Sequence, residues 1–320
     1  MSARRWKGTG LWLVLFGAVA GACDDNGTEP ELAGPVTVTD WLASVNWDQK
    51  TVVTLTMVES PTGALSFSPN RLTFEAGKPY VLRILNGSPN VLKHYVSPTG
   101  LGNFYQAIAT RKIETSQAEY KAPYFSEVEL MVGGALDLYF VPVLPGTYDI
   151  VCTIPGHKEA GMTAQFVITG GEDNKLDLEI ATDFDATLLS DGRRSSSHTV
   201  WQTRVDLTIS VQETPTFTFV PKDLTLLQGT GYRIRLESAA GNVEKHYWTA
   251  AEFFKTTVWR KAEDTQAEIK APYLKAVELM VGGATYLFVV PTKTGTYETR
   301  CTLPQHAEKG MIGSIAVSAG

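Results

Sequence analysis

The sequence predicts an all-β protein built from two tandem copies of one domain. Short segments rich in β-branched and aromatic residues recur along the chain, separated by Gly, Pro and Asn, a pattern typical of strands joined by turns. Examples are TVVTLTMV from Thr51, YVLRILN from Tyr80 and AQFVIT from Ala164. The second observation is an internal repeat, because CTIPGHKEAGM from Cys152 recurs as CTLPQHAEKGM from Cys301.

The repeat extends well beyond this motif and sets the domain boundaries. Phe67 matches Phe219 at a shift of 152 positions, as do further Pro and Gly residues nearby. We therefore predict a first domain over residues 36–170, a linker over 171–196 and a second domain over 197–320. Both domains have an ordinary domain size.

Helical signals are scarce in both copies. One short helix is predicted at NFYQAIAT from Asn103, and its counterpart at AEFFKTTV from Ala251. The aromatic pairs in these segments are interpreted as the buried face of a short helix, with an exposed docking rim as the alternative.

Each copy carries one Cys, two His and one Met at matching positions. One thiolate, two imidazoles and a thioether are the ligand set of a blue-copper centre, in which an axial Met completes a trigonal His2Cys plane. The spacing Cys-x4-His-x4-Met lets one loop supply three ligands, while the remaining His comes from a distant strand. The chemistry of such a centre is one-electron transfer. The predicted ligands are His94, Cys152, His157 and Met162 in the first copy, and His246, Cys301, His306 and Met311 in the second.

The segments GTYDIVCTIPGHKEAGM, GTYETRCTLPQHAEKGM and FEAGKPYVLRILN resemble the cupredoxins, and the loop spacing is closest to the rusticyanin type. The resemblance covers both repeats. It implies two β-sandwich domains of Greek-key topology with copper at one end, and it implies that His157 and His306 lie nearest the surface. The copies differ at Gly156, which is Gln305 in the second loop. This difference is expected to affect the access or the potential of the second site.

The number of histidines limits other copper chemistry. The chain has five, and four are assigned to the two predicted sites, which leaves only His198 in a polar, Ser-rich stretch. The oxygen-reducing cluster of multicopper oxidases and the catalytic copper of nitrite reductases each need several more. We therefore expect the chain not to be an enzyme. A disulfide between Cys152 and Cys301 is a weak alternative to copper ligation, because both thiols would have to leave their loops.

The N-terminus has the features of a signal peptide over residues 1–22. Three basic residues precede an apolar run from Leu11 to Ala20 and a small-residue cleavage region. The run is too short to span a bilayer. Ala-Gly-Ala before Cys23 resembles a bacterial lipobox, which implies lipidation of Cys23 and a membrane anchor followed by a tether over 23–35, with ordinary secretory cleavage as the alternative. Asp24 resembles an inner-membrane retention signal, so we expect a periplasmic or cell-surface protein held at the membrane.

The charge of the mature chain bears on its partners. Residues 1–22 carry three basic residues and no acidic one, so their removal changes the net charge from −6 to about −9. Nucleic acid is therefore an improbable partner. An acidic surface suits docking with a basic redox protein, such as a cytochrome or a copper enzyme. Solubility alone is an equally good explanation of the charge.

Further features of the repeats have no firm assignment. VELMVGGA occurs at 128–135 and again at 277–284. Its Met is interpreted as packing under the ligand loop rather than as a copper ligand. Asn86 and Tyr95 are candidates to support His94, since metal-bound histidines generally need such partners.

Two functions from different classes are compatible with these residues. The preferred one is a membrane-tethered electron carrier with two blue-copper centres. The alternative is a protein that stores, buffers or delivers copper. The Cys-containing ligand set favours the carrier, because copper-delivery sites tend to be open and rich in Met or His, and this chain has only six Met.

Overall fold

A computed structural model of the chain describes residues 38–89, 92–99, 103–170 and 201–320. The predicted signal peptide, tether and linker lie outside these ranges, as do Cys23 and His198. Residues 36–320 belong to one compact unit. No helix within the described ranges is both long and apolar enough to cross a membrane.

The first domain is almost entirely β-structure. It begins with α1 (Val38–Ser44) and contains two 3-10 turns, Trp47–Gln49 and Phe104–Gln106. Its strands are β1 (Thr51–Glu59), β2 (Leu65–Ser68), β3 (Arg71–Glu75), β4 (Tyr80–Asn86), β5 (His94–Thr99), β6 (Ile108–Glu114), β7 (Ala118–Lys121), β8 (Glu127–Leu130), β9 (Ala135–Pro142), β10 (Gly146–Val151) and β11 (Thr163–Thr169).

The second domain repeats this order of strands. One helix, α2 (Ala251–Lys255), stands where the first domain has its second 3-10 turn. Its strands are β12 (Val205–Gln212), β13 (Thr218–Val220), β14 (Asp223–Leu227), β15 (Tyr232–Ser238), β16 (His246–Trp248), β17 (Thr257–Glu263), β18 (Ala267–Lys270), β19 (Ala276–Leu279), β20 (Ala284–Pro291), β21 (Gly295–Arg300) and β22 (Ile312–Ser318).

The predicted all-β class is confirmed, and the local patterns explain the strands. In β3 the buried positions are Leu72 and Phe74, which alternate with exposed polar residues as a strand with one face on the core requires. The two predicted helical segments form the 3-10 turn and α2. Their aromatic pairs are fully buried, so they pack in the core and do not form a docking rim.

Each domain is a β-sandwich. In the first domain one sheet has the order β7-β6-β9-β4-β1-β2 and the other has the order β8-β5-β10-β11-β3. The second domain has the equivalent sheet β18-β17-β20-β15-β12-β13, and its other layer consists of β19-β16 and β21-β22-β14. Edge-to-face contacts of Phe74 with Phe140 and Phe166 fill the space between the first domain's sheets.

Both sheets of the sandwich continue from one domain into the other. Strand β7 pairs with β19, and β8 pairs with β18, both antiparallel. The two pairings are equivalent by the repeat, because β7 corresponds to β18 and β8 to β19 at a shift of 149 positions. Each domain therefore contributes the same two strands to the junction. The edges of all four strands are covered by this pairing.

The repeated VELMVGGA segment belongs to this domain boundary. Gly134 lies so close to Gln266 that an added Cβ would be 2.1 Å from its carbonyl oxygen, and Gly283 has the same relation to Gln117 at 2.0 Å. The same two carbonyl oxygens accept the backbone N–H groups of the Met residues in the two segments, at 2.9 and 3.0 Å. The repeated Gly is thus needed for close approach of the two domains, a reason that the sequence alone did not indicate.

Candidate metal centres

The structure brings together one Cys and two His in the first domain, a group called site 1 below. His94 begins β5, and Cys152 and His157 lie in the loop after β10. The Nδ1 atoms of the two imidazoles are 3.2 Å apart, and Nδ1 of His157 is 3.4 Å from Sγ of Cys152. All three ligand atoms lie within 4.8 Å of one another.

Backbone hydrogen bonds place Met162 beside this group. The N–H of Met162 donates to the carbonyl of His157 at 3.0 Å, and the N–H of Cys152 donates to the carbonyl of Met162 at 3.1 Å. Both bonds close the loop from Cys to Met into a compact turn. Gly161 allows this, because its φ is +104° and an added Cβ would lie 3.1 Å from the carbonyl oxygen of Leu65. The side chain of Met162 is fully buried.

The second domain contains the same arrangement, called site 2 below. Nδ1 of His246 is 3.1 Å from Nδ1 of His306, which is 3.5 Å from Sγ of Cys301. Hydrogen bonds at 3.0 Å again place Met311 against both the Cys and the later His. The residue at the Gly156 position, Gln305, adopts the same left-handed conformation, with φ +67° against +85° for the Gly.

The donor atoms of both sites fit a copper ion. Nitrogen and sulfur atoms that share one ion at about 2.0 to 2.3 Å lie about 3.3 to 3.6 Å from each other in trigonal or tetrahedral geometry. The nitrogen–sulfur distances of 3.4 and 3.5 Å fall within this separation, and the nitrogen–nitrogen distances of 3.2 and 3.1 Å are slightly shorter. Thiolate, imidazole and thioether together are the donor set that blue copper prefers. Cys152 and Cys301 form no disulfide.

Burial controls the protonation of these donors. It raises the pKa of both Cys thiols, so each binds a metal with loss of a proton. Burial, together with the nearby His157, lowers the pKa of His94 to about 4. Burial also lowers the pKa of His246, although a hydrogen bond to Glu213 opposes the shift. Both imidazoles are therefore neutral at neutral pH, the form that ligates a metal.

The two later histidines differ in exposure, contrary to what the resemblance implied. His157 is partly exposed, as expected, whereas His306 is only 5% exposed. Phe217 covers it, with the ring centroids 4.9 Å apart, and the first domain has Leu65 at the Phe217 position. The expectation that His306 lies near the surface is therefore wrong. The side chain of Phe217, directly before β13, is larger than that of Leu65 and covers His306.

Two carboxylates in site 2 were missed from the sequence. Glu213 Oε1 lies 2.9 Å from Nε2 of His246, and Glu244 Oε2 lies 3.0 Å from Nε2 of His306. Neither residue belongs to the ligand motif. The only signal was position, since Glu244 stands two residues before His246 where the first domain has Leu92.

Tyr95 and Asn86 were predicted from the sequence to support His94. Their hydrogen bonds go to neighbouring residues and not to the imidazole itself. The backbone N–H of Tyr95 donates to Sγ of Cys152 at 3.4 Å. The side chain of Asn86 donates to the carbonyls of Leu92 and Met131, both at 2.9 Å, and so holds the segment that leads into β5. Nε2 of His94 itself is buried and has no hydrogen-bond partner among the described residues.

Comparisons with known proteins agree with this chemistry. Residues 205–318 match the family described as copper binding proteins, plastocyanin/azurin family. No curated protein sequence matches the chain. Similar solved structures include a multicopper oxidase, with 12% identity and a TM-score of 0.28 over 86% of this chain and 92% of that one. A copper nitrite reductase from Nitrosomonas europaea has 14% identity and a TM-score of 0.28 over 84% and 94% of the two chains. Auracyanin from Roseiflexus castenholzii has 18% identity and a TM-score of 0.25 over 35% and 96%.

One prediction from the sequence requires correction. The expectation that the chain is not an enzyme is contradicted, because most of these similar structures are oxidases or nitrite reductases. The histidine count concerned only two known kinds of catalytic copper site, so it was too narrow to exclude catalysis. With TM-scores of 0.30 or below, these likenesses assign no reaction to this chain.

The converging donors and the family match of the second domain lead to one conclusion. Two groups of His, Cys and His recur with the same geometry in two tandem sandwiches. The second domain matches the plastocyanin/azurin family of copper-binding proteins, and both domains carry the donor set of a copper site, a combination that supports copper-based electron transfer in general.

Proposed function

We propose that this protein transfers electrons through two blue-copper centres, one in each domain. The observation that carries the proposal is the convergence of two imidazoles and one thiolate on a common point in both domains. The ligands proposed are those that the sequence indicated, with Met162 and Met311 as the axial thioethers. Copper held in this way supplies reversible one-electron chemistry.

The chain's own residues keep each centre in one geometry. His94 and His246 come from strands, whereas the other ligands come from a loop closed by backbone hydrogen bonds. Ligands held by a rigid frame need little rearrangement when the metal changes its charge. The burial of Cys152 and Cys301 excludes water from the thiolates. These features favour electron transfer over the storage or delivery of copper, which requires the metal to leave.

We also propose that the protein works outside the cytoplasm, anchored to a membrane through a lipid on Cys23, with the inner membrane favoured in a Gram-negative host. The support comes from the sequence of residues 1–35 alone. The proposed partners are redox proteins, either a cytochrome or a copper enzyme, that dock on an acidic surface. Metabolic labelling with a fatty acid, compared between the natural chain and Cys23→Ser, tests the anchor.

The test of the function uses the copper-loaded full chain. We expect two coppers per chain and an intense visible thiolate-to-copper absorption from each. Cys152→Ser and Cys301→Ser should each remove one copper and its absorption, because a hydroxyl does not replace a thiolate. Repeated reduction and reoxidation with a small mediator should leave the copper content unchanged.

Two results would contradict the proposal. If the metal content stays at one copper and Cys301→Ser changes neither the metal content nor the spectrum, site 2 is vestigial. If reduction releases the copper to a chelator within one cycle, the protein handles copper as cargo and the storage or delivery function is the correct one.

A further inference from the structure

The two sites differ in the charges that contact their histidines. In site 2, Glu213 and Glu244 contact the Nε2 atoms of His246 and His306, on the side of each ring opposite to the Nδ1 that faces the site. In site 1, Nε2 of His94 has no hydrogen-bond partner within the described ranges. Two carboxylates therefore contact the outer nitrogens of the site 2 histidines, whereas in site 1 Glu59 acts on His94 only through its charge, without a hydrogen bond to Nε2.

The first domain has a Glu in the place of Glu213, but its surroundings differ. Strand register makes Glu59 the counterpart, because Met57 faces Phe67 as Val211 faces Phe219. The carboxylate of Glu59 accepts a hydrogen bond of 2.6 Å from the hydroxyl of a Ser. The second domain has no hydroxyl at this position.

The residue that binds Glu59 is Ser88, and the corresponding position in the second domain is Ala240. Without a competing hydroxyl, the carboxylate of Glu213 accepts the backbone N–H groups of Val243 and Glu244 at 3.0 and 2.8 Å. These bonds hold it against His246. The backbone donors and the imidazole around the carboxylate favour its charged form.

The two carboxylates differ in how strongly solvent screens them. The side chain of Glu213 is 10% exposed and its partner His246 is buried, so the interaction is weakly screened. The side chain of Glu244 is 55% exposed, so its effect is smaller and depends on salt. Glu213 is therefore the stronger influence on site 2.

We propose that Glu213, assisted by Glu244, lowers the reduction potential of site 2 below that of site 1, so that a single electron on the protein resides at site 1. This inference rests on the proposed electron-transfer function. A carboxylate that accepts the far N–H of a ligand histidine makes the imidazole a stronger donor, and its negative charge favours the more positive Cu(II) over Cu(I). Both effects make the centre harder to reduce.

The two sites also differ in how accessible their later histidine is. His157 of site 1 is partly exposed, whereas His306 of site 2 is buried under Phe217. Site 1 thus combines the higher potential with the more accessible ligand. It is the centre from which an electron passes to a partner, and site 2 is the centre that supplies it.

The experiment measures the potential of each site separately in the full chain. Cys301→Ser leaves site 1, and Cys152→Ser leaves site 2, and a redox titration follows the thiolate-to-copper absorption of each. We expect site 2 to have the lower potential, with an equilibrium constant for electron exchange of at least tenfold, which corresponds to about 59 mV for one electron. One equivalent of reductant added to the natural protein should bleach mainly the absorption of site 1.

Charge-removing variants test the cause. In the Cys152→Ser protein, Glu213→Gln keeps the shape and the acceptor but removes the charge, so it should raise the potential of site 2 towards that of site 1. Glu244→Gln should give a smaller rise that disappears at high salt. Glu252→Gln is the matched control, because this Glu belongs to the same domain, is 75% exposed and pairs with Lys255. It should leave the potential unchanged.

The outcomes separate this inference from the proposed function. Equal potentials, a higher potential at site 2, or no shift in Glu213→Gln would overturn the inference, although each site would still exchange electrons reversibly. If Glu213→Gln lost its copper, Glu244→Gln would become the test. An unchanged potential of site 2 in that variant would also overturn the inference. Single-site proteins that bind copper but cannot be reduced and reoxidised would instead contradict the proposed function itself.

Discussion

Glu278 on β19 and Glu119 on β7 lie directly opposite each other where the second domain pairs with the first. The equivalent pair, Glu268 and Glu129, occurs where β18 pairs with β8. Like charges in such cross-strand positions are destabilising. Burial and the facing carboxylate raise the pKa of both Glu278 and Glu129 above the ordinary value, while Lys121 and other nearby Lys residues limit the repulsion.

The first prediction concerns this boundary and pH. A carboxyl with a raised folded-state pKa contributes stability below its unfolded pKa and loses that contribution as pH rises through the folded value. Glu278→Gln should therefore be more stable than the natural protein at neutral pH, by up to about 1 kcal/mol. The difference should shrink at acidic pH, as the pH falls through the raised pKa of Glu278 and the natural Glu becomes protonated.

Urea unfolding of the copper-free proteins at both pH values measures this difference. Glu129→Gln, the equivalent change in the first domain, should behave in the same way, and Glu252→Gln, whose side chain is 75% exposed, should have no effect. A Glu278→Gln protein less stable than the natural one at neutral pH would show that the Lys pairing outweighs the repulsion.

The second prediction concerns the close approach of the domains. Gly283→Ala would place a Cβ 2.0 Å from the carbonyl oxygen of Gln117, which already accepts a hydrogen bond from Met280. Such overpacking costs about 1–3 kcal/mol. We expect the two domains to separate and the radius of gyration from small-angle X-ray scattering to increase.

A matched control exists within the second domain. Gly313→Ala would bring a Cβ to 1.9 Å from the carbonyl oxygen of Lys222, so it introduces a similar clash away from the boundary. It should lower stability without changing the distance between the domains. An unchanged scattering profile for Gly283→Ala would mean that the boundary adapts to the extra methyl group.

The third prediction concerns the axial ligands. Met162→Leu and Met311→Leu should keep their copper and raise the potential of the altered site only, because the axial thioether tunes the metal more than it holds it. Metal analysis and redox titration check both expectations. Met280→Leu, outside the ligand loops, is the control. A Met→Leu change that empties its site would show that the thioether is essential for binding.

The fourth prediction concerns the backbone of the second ligand loop. Gln305 has a φ of +67°, a conformation that favours Gly and that costs other residues roughly 1–2 kcal/mol. Gln305→Gly should therefore raise the thermal midpoint, and Gly156→Ala, at φ +85°, should lower it. The copper absorption should persist in both. A lower midpoint for Gln305→Gly would show that contacts of the Gln side chain outweigh the backbone strain.

The strands and the ligand loops could be predicted because their signals are local. YVLRILN corresponds to β4, a short apolar run whose exposed position is the charged Arg83. The loop from Cys152 to Met162 contains three proposed ligands within eleven residues. Its repetition around Cys301 made accidental similarity an inadequate explanation. The first His of each site, His94 or His246, lies on a separate strand far from the loop. It could be identified only because it occupies matching positions in the two copies.

The sequence by itself determined the all-β class, the duplication and the identity of the donor atoms. Tertiary structure decided the features that depend on residues far apart in the chain: the continuation of both sheets across the boundary, the burial of His306 under Phe217, and the contact of Glu213 with His246 across 33 positions. The physical reason is that periodicity reports which face of a strand is buried, whereas the partner of a buried edge or of an imidazole N–H depends on packing between strands that no local pattern encodes.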